Sequence, residues 1–244
     1  MSCRIARTDE AGLCTLTLSR PEKLNALDTQ AFEELDSYLA ALERETERVG
    51  CVVLRGAGRG FCAGADLEAM GKVPVPPGCK PGVVARLARL PQPVIAAVHG
   101  VCLTGGLELA LACDFIIANE TASFADTHGK WGLVGAWGMG QRLKRRIGEP
   151  AAKRLMMTGA RISADEARAL GLVDLVAPEG GLETLLADFA AAILANSWHT
   201  NFAAKRMMRE TDGMSLEEGL AYEQAHYPGN APDHAARMAR FGKH

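Results

Sequence analysis

Two short apolar runs, each closed by a glycine-rich turn, constrain the fold of this chain more than any other feature. Cys51-Val52-Val53-Leu54 leads into Gly60-Phe61-Cys62-Ala63-Gly64-Ala65-Asp66-Leu67, and Val94-Ile95-Ala96-Ala97-Val98 leads into Gly100-Val101-Cys102-Leu103-Thr104-Gly105-Gly106. Runs of four or five aliphatic residues bounded by turn signals are too short for helices and read as buried strands. The second turn opens into an apolar helix over 106–112, and Phe115-Ile116-Ile117-Ala118 supplies a third strand. Strand, glycine turn and helix recurring in this order predict an α/β domain.

The rest of the chain fits around that centre. Leu13-Cys14-Thr15-Leu16-Thr17-Leu18 alternates apolar and polar residues, and Asp9-Glu10-Ala11-Gly12 offers a turn, so the first 20 residues read as a hairpin. Asp28 is placed to cap a helix running to about Arg48, with Phe32, Leu35, Leu39 and Leu42 on one face. A loop with four prolines (Pro74, Pro76, Pro77, Pro81) precedes a short helix near 83–90. Beyond about residue 137 the pattern is nearly all helical. Ser163-Ala164-Asp165-Glu166 is a capping box. Gly171-Leu172-Val173-Asp174-Leu175-Val176 reads as a short strand, and helices are expected near 181–195, 200–210 and 215–226. A division is drawn near 190, giving a core over 1–190 and a helical region over 191–244.

Composition narrows the function classes. The chain has 244 residues, 48% hydrophobic and 23% charged, enough to bury a core without disulfides. A formal net charge of −2 gives no electrostatic reason to expect a nucleic-acid partner. No apolar run reaches the roughly 18 residues a membrane span requires, and MSCRIARTDEAG lacks the apolar segment of a secretory signal. The seven cysteines, Cys3, Cys14, Cys51, Cys62, Cys79, Cys102 and Cys113, are scattered with no CxxC pair. That pattern suits reduced thiols, a cytoplasmic location and no metal site.

The two glycine turns carry the first chemical signal. Small residues at a strand end let backbone N–H groups approach a ligand closely. At the second turn the free N–H groups and positive dipole end of a helix favour a negative oxygen, and two N–H groups aimed at one point form an oxyanion hole. Tight strand-to-helix packing would account for the same glycines. Glu108 adds weight to the functional reading. It stands in Leu107-Glu108-Leu109-Ala110-Leu111-Ala112, where a carboxylate is costly to bury unless paired or used, and it lies about one helical turn beyond Gly105.

Several segments in this order resemble the enoyl-CoA hydratase/isomerase (crotonase) family. They are RPEKLNALD at 20–28, GRGFCAGADL, LPQPVIAAVHGVCLTGGLELALACDFIIA, ASFADTHGKWGLVGAWGMGQRL and ISADEARALGLVDLV at 162–176. The resemblance covers about residues 5 to 180. It implies a crotonase-like spiral of ββα units with a helical C-terminal trimerisation region, hence a homotrimer or dimer of trimers. It implies an acyl-CoA thioester as substrate and no separate cofactor, coenzyme A being part of the substrate. By motif position the oxyanion N–H groups fall on Ala65 and Gly105. Ala63, Asp66, Leu67 and Trp131 become candidate substrate contacts, and Lys23, Leu24 and Ala26 match the region that meets the nucleotide end of CoA in relatives. Arg20 and Lys23 are candidate phosphate partners. Phe241 and Lys243 lie in a tail that is a candidate to reach the CoA of a neighbouring subunit. Asp66 also reads as the cap of a following helix, Asp114 as a strand-edge hydrogen-bonding residue, and Trp131 and Trp137 as pocket or core.

Hydratases of the family use two glutamates. The first matches Glu108. The second falls on the fifth residue of the segment beginning at Phe124, which here is His128. Two smaller departures are Thr104, where a Gly usually precedes the oxyanion Gly, and Gly135, where a Pro is common. An imidazole with an ordinary pKa near 6.5 suits acid–base work at neutral pH, with Asp126 near enough in sequence to orient it. The leading expectation is water addition to a 2-enoyl-CoA by Glu108 and His128. The alternatives are double-bond isomerisation by one proton shuttle, hydrolysis of a carbon–carbon bond, a non-catalytic acyl-CoA-binding relative, and a His128 that only bonds loop backbone.

Overall fold

A computed structural model describes residues 3–72, 76 and 78–241. The N-terminal hairpin is β1 (Ile5–Glu10) and β2 (Leu13–Leu18), followed by α1 (Thr29–Leu42), β3 (Cys51–Gly56), α2 (Cys79–Arg89), β4 (Val94–Val98), β5 (Val101–Leu103) and α3 (Gly105–Ala110). Next come β6 (Phe115–Asn119), β7 (Ser123–Ala125), α4 (Met139–Ile147), α5 (Glu149–Thr158), β8 (Ile162–Ser163), α6 (Ala164–Ala169) and β9 (Leu175–Ala177). The chain then runs through α7 (Leu182–Ala195), α8 (Trp198–Glu210), α9 (Leu216–Ala225) and α10 (His234–Met238).

The described strands form two sheets. The larger has the order β1-β2-β3-β4-β6-β9 and is parallel except for the β1/β2 hairpin. The smaller has the order β5-β7-β8, with β5 and β7 parallel. The unbroken apolar runs of the central strands follow from burial on both faces. Val52, Leu54, Ala96, Val98, Ile116 and Ala118 face one core with α1, α2 and α3, while Cys51, Val53, Ile95, Ala97 and Ile117 face a second core closed by Leu182, Leu186 and Ala190 of α7.

The crossing of the chain between sheets creates the site. β4 lies in the large sheet and β5 in the small one; the same holds for β6 and β7. The corner between β4 and β5 is Gly100, at φ 54°, where a Cβ would stand 2.2 Å from the Arg59 carbonyl oxygen. The loop after β3 makes a third such passage. Cys62 bridges Cys102 in parallel, the Cys62 N–H donating to Val101 O at 3.0 Å and the Leu103 N–H to Cys62 O at 2.9 Å. The parallel pairing of Leu103 with Ala125 brings the ends of β5 and β7 side by side. Three chain segments therefore end at one edge, where open α/β structures bind ligands.

The expected boundaries differ from the observed ones in several places. α1 stops at Leu42, because Glu43 to Arg48 carry no apolar side chain to seat on the core. The short helix near 83–90 begins earlier, at Cys79. The short strand expected over 171–176 lies at Leu175–Ala177, although Leu172 and Val173 are buried just before it. Asp66 caps a turn over 67–72 and not a helix, its Oδ1 accepting from the Glu68 and Ala69 N–H groups. Asp28 caps α1 as expected, accepting from the Ala31 N–H at 2.9 Å, and the Ser163/Glu166 capping box opens α6. Position 190 falls inside α7. Of the proline-rich loop, Pro74 and Pro77 lie outside the described residues, as does Lys243 in the tail.

Candidate active site

The three segment ends enclose a cleft of about 140 Å³. Ala63, Ala65 and Leu67 line it from the loop after β3, Thr104, Gly105 and Glu108 from the start of α3, and Thr127, His128 and Trp131 from the segment after β7; Val134 and Trp137 close it. Of the expected site residues, Glu108, His128, Ala65, Gly105, Ala63, Leu67 and Trp131 thus meet in one space. Lys23, Leu24, Ala26 and Asp66 stand behind the loop and do not line it.

The loop carrying Ala65 is held from below. The Leu27 N–H donates to Gly64 O at 2.8 Å and the Asp66 N–H to Leu27 O at 2.9 Å. That leaves the Ala65 N–H unused. Gly105 is the first residue of α3 and has no preceding turn to bond. Among the described residues neither the Ala65 nor the Gly105 N–H has a hydrogen-bond acceptor. Close approach is sterically prepared: a Cβ on Gly106 would lie 2.4 Å from Cys62 O.

Glu108 is 1% exposed. Its Oε1 accepts from the Trp137 N–H at 2.8 Å and the Met139 N–H at 3.0 Å, so the carboxylate sits at the amino end of α4, where the helix dipole favours negative charge. The donor turn is braced in its turn by Arg142, whose guanidinium donates to Trp137 O at 2.6 Å. With Oε1 occupied, Oε2 is left toward His128, 3.8 Å from Nε2. His128 Nδ1 lies 2.6 Å from Asp126 Oδ1, and the same oxygen accepts the His128 backbone N–H at 3.1 Å.

Opposing forces act on both groups. Burial pushes the Glu108 carboxyl above the usual range, while the Met139 and Trp137 N–H groups and the His128 charge pull it back; the net direction is upward. For His128, burial disfavours the imidazolium, but Asp126 and Glu108 together outweigh it and the net direction is again upward. Two carboxylates flanking one imidazole thus favour a proton on the ring.

Sequence reasoning missed Met139, Asn25 and Thr127, and the backbone role of Trp137. Trp137 and Met139 act through backbone N–H groups, which no side-chain pattern signals. Asn25, 2% exposed at φ 57°, donates through Nδ2 to Ala57 O at 2.9 Å and Gly60 O at 2.8 Å and accepts from the Arg20 N–H at 2.9 Å. Thr127 pairs with Thr104, Oγ1 to Oγ1 at 2.6 Å. Arg20 is turned inward, bonding Asp66 Oδ2 at 2.9 Å and Ala26 O at 2.8 Å, both part-buried acceptors. Lys23, the other candidate phosphate partner, is exposed and paired with Glu68 at 2.8 Å. Trp137 packs edge-on against Phe32 at 4.9 Å and over Gly105, so it is both core and cleft wall. Asp114 does bond a strand edge, accepting from the Val94 N–H at 2.7 Å.

The sequence pattern of the family described as Enoyl-CoA hydratase/isomerase matches residues 8–238. The chain belongs to that family. A protein of Arabidopsis thaliana named probable enoyl-CoA hydratase 1, peroxisomal, is 33% identical over 96% of this chain and 91% of its own length. The 1,2-epoxyphenylacetyl-CoA isomerase of Escherichia coli is 39% identical over 67% of this chain and 66% of its own length. The crystal structure of an enoyl-CoA hydratase from Bacillus anthracis superposes with a TM-score of 0.92 at 35% identity, covering 98% of this chain and 96% of that one. The fold is therefore the crotonase-like spiral that the sequence motifs implied. Among the described residues no cluster of three or more His, Cys, Asp or Glu side chains is arranged to hold a metal ion, and no helix is long and apolar enough to cross a membrane.

Proposed function

We propose that this enoyl-CoA hydratase/isomerase family member adds water across the double bond of a 2-enoyl-CoA thioester. The observation that carries the reading is the shared cleft, in which two N–H groups without acceptors accompany Glu108 and His128. The thioester oxygen sits on the Ala65 and Gly105 N–H groups. Preorganised donors of this kind contribute about 3–4 kcal/mol each to stabilising a developing enolate. Water's oxygen bonds C3 as its proton passes to Glu108 Oε2, and the double-bond electrons move toward the thioester oxygen. The protonated His128 Nε2 then delivers its proton to C2, and the thioester re-forms. The proton left on Glu108 returns to His128 Nε2, 3.8 Å away. Both upward shifts serve this cycle, since burial makes Glu108 a stronger base and the two carboxylates raise the affinity of His128 for a proton. Lys23, Leu24 and Ala26 lie at the outer side of the Ala65 loop, where the nucleotide end of CoA would run, and Lys23 would leave Glu68 for a phosphate.

A second reading, double-bond isomerisation, is favoured by one observation: His128 stands where hydratases of the family carry a second carboxylate, so among the described residues Glu108 is the one carboxylate lining the cleft, and a single proton shuttle is all that reaction needs. The test is hydration and isomerisation of crotonyl-CoA and longer enoyl-CoAs by the wild type and Glu108→Gln. The variant should keep its fold and CoA affinity and lose turnover by about a hundredfold or more. Near wild-type rates in Glu108→Gln would defeat the assignment, and isomerised product without hydrated product would select the second reading.

A further inference from the structure

His128 has two ring nitrogens, and only one of them can face the substrate. Asp126 follows directly on β7, is 2% exposed, and directs one oxygen at both the backbone N–H and Nδ1 of His128. We propose that Asp126 is a positioning residue that holds the His128 imidazole with Nδ1 turned inward and presents Nε2 to the cleft opposite Glu108 Oε2. This rests on the acid–base role given to His128 above.

A carboxylate accepts hydrogen bonds and donates none. At 2.6 Å from Asp126 Oδ1, Nδ1 must therefore carry a hydrogen whether the ring is neutral or charged. Only Nε2 is left to gain and lose a proton, and it is the nitrogen 3.8 Å from Glu108 Oε2. A water molecule about 2.8 Å from each fits a gap of that width. Without Asp126 nothing fixes the tautomer, and a neutral ring with its hydrogen on Nε2 could not accept the proton that must return from Glu108. The Nδ1–Asp126 bond also opposes a turn of the ring, which would put Cδ2 in place of Nδ1 at the carboxylate. The ring lies against Gly135, where a Cβ would come within 3.1 Å of Cε1 and 3.2 Å of Nδ1. Gly135 thus provides the room the imidazole occupies, which accounts for the glycine at this position.

The charged groups facing His128 are few. Asp126 precedes it on the same segment and Glu108 faces it from α3. Lys144 of α4 and Glu149 and Lys153 of α5 line the cavity on its other side, where Lys153 pairs with Glu149 at 2.6 Å. The two carboxylates nearest the ring raise its affinity for a proton, Asp126 by direct hydrogen bond and charge. Removing the Asp126 charge should therefore lower the pH at which His128 deprotonates. In the proposed cycle the protonated ring is the active form, so the alkaline limb of activity moves to lower pH.

Nitrogen-resolved NMR of the His128 ring in the free wild-type protein should show, once the ring is neutral, hydrogen on Nδ1 and a bare Nε2. Asp126→Asn, which keeps the size and removes the charge, should titrate His128 at lower pH than the wild type. It should lower kcat on the order of a hundredfold at neutral pH with little change in KM, and shift the alkaline limb of kcat downward in pH. A neutral wild-type ring carrying its hydrogen on Nε2 would overturn the proposal, as would an Asp126→Asn titration and pH profile that coincide with the wild type. The wild-type spectrum needs neither a folded variant nor turnover. A protein that neither hydrates nor isomerises enoyl-CoAs but shows hydrogen on Nδ1 would therefore overturn the catalytic reading and leave the role of Asp126 standing.

Discussion

Thr104 stands at φ 51° and ψ −112°, a backbone conformation that glycine adopts readily and a β-branched residue does not. Its N–H donates to Ala125 O at 2.9 Å, and its Oγ1 lies 2.6 Å from Thr127 Oγ1 and accepts the Thr127 N–H at 3.3 Å. The hydroxyl thus ties the residue before the Gly105 N–H to the segment bearing Asp126 and His128, and this tie offsets a strain of about 1–3 kcal/mol. Two variants separate the effects. Thr104→Ala loses the tie and keeps the strain. Thr104→Gly loses the tie, relieves the strain, and gives back part of the gain as unfolded-state entropy. Urea unfolding should find Thr104→Gly more stable than Thr104→Ala by about 1 kcal/mol. If Thr104→Ala proves equal or more stable, the backbone at 104 carries no strain.

At the scale of elements, the loop after β3 depends on Asn25, which lies in a different segment. Its amide donates to the carbonyls of Ala57, Gly60 and Phe61, the last two buried, and so fixes the course of the chain into Cys62 to Ala65. Asn25→Ala orphans two buried acceptors and should cost about 2–4 kcal/mol in chemical denaturation. Through the loosened Ala65 loop it should also lower kcat while Glu108 and His128 remain intact. An unchanged unfolding midpoint would show that water replaces the amide at no cost. The legible and illegible parts of this chain divide along the same line. Buried strands, the Asp28 cap and the Ser163/Glu166 box are written locally, in apolar runs and in spacings of three, and they appear as read. The meeting of Ala65, Gly105, Glu108 and His128 was legible only because family motifs mark those positions. The bonds from Trp137 and Met139 to Glu108 cross 29 and 31 residues and use backbone donors, and Arg20 faces inward because its acceptors come together only in the fold. Such contacts leave no periodic trace.

At the scale of the whole molecule, the helices beyond α7 raise the question of assembly. None of α8, α9 and α10 contains a buried residue, and Met208, Leu216, Leu220, Met238 and Phe241 are each more than half exposed. A ten-residue helix such as α9 is marginal in water without a packed face, even with the Ser215/Glu218 capping box that opens it. Its apolar side chains therefore need a surface, and the described residues of this chain do not provide one. A formal net charge of −2 puts little repulsion in the way of self-association. Together with family membership this leads us to propose a homotrimer, or a dimer of trimers, assembled through α8 to α10. Light scattering at micromolar concentration should return about three or six times the chain mass of 26.0 kDa. Leu216→Glu combined with Leu220→Glu, at positions 81% and 51% exposed in the single chain, should shift that mass toward the monomer and lower the melting temperature. The sign of the stability change is informative, because two exposed leucines replaced by glutamates on a free surface helix would leave stability nearly unchanged. A wild-type protein that scatters as a 26.0 kDa particle would defeat the assembly and leave the exposed helix faces without a partner in this chain.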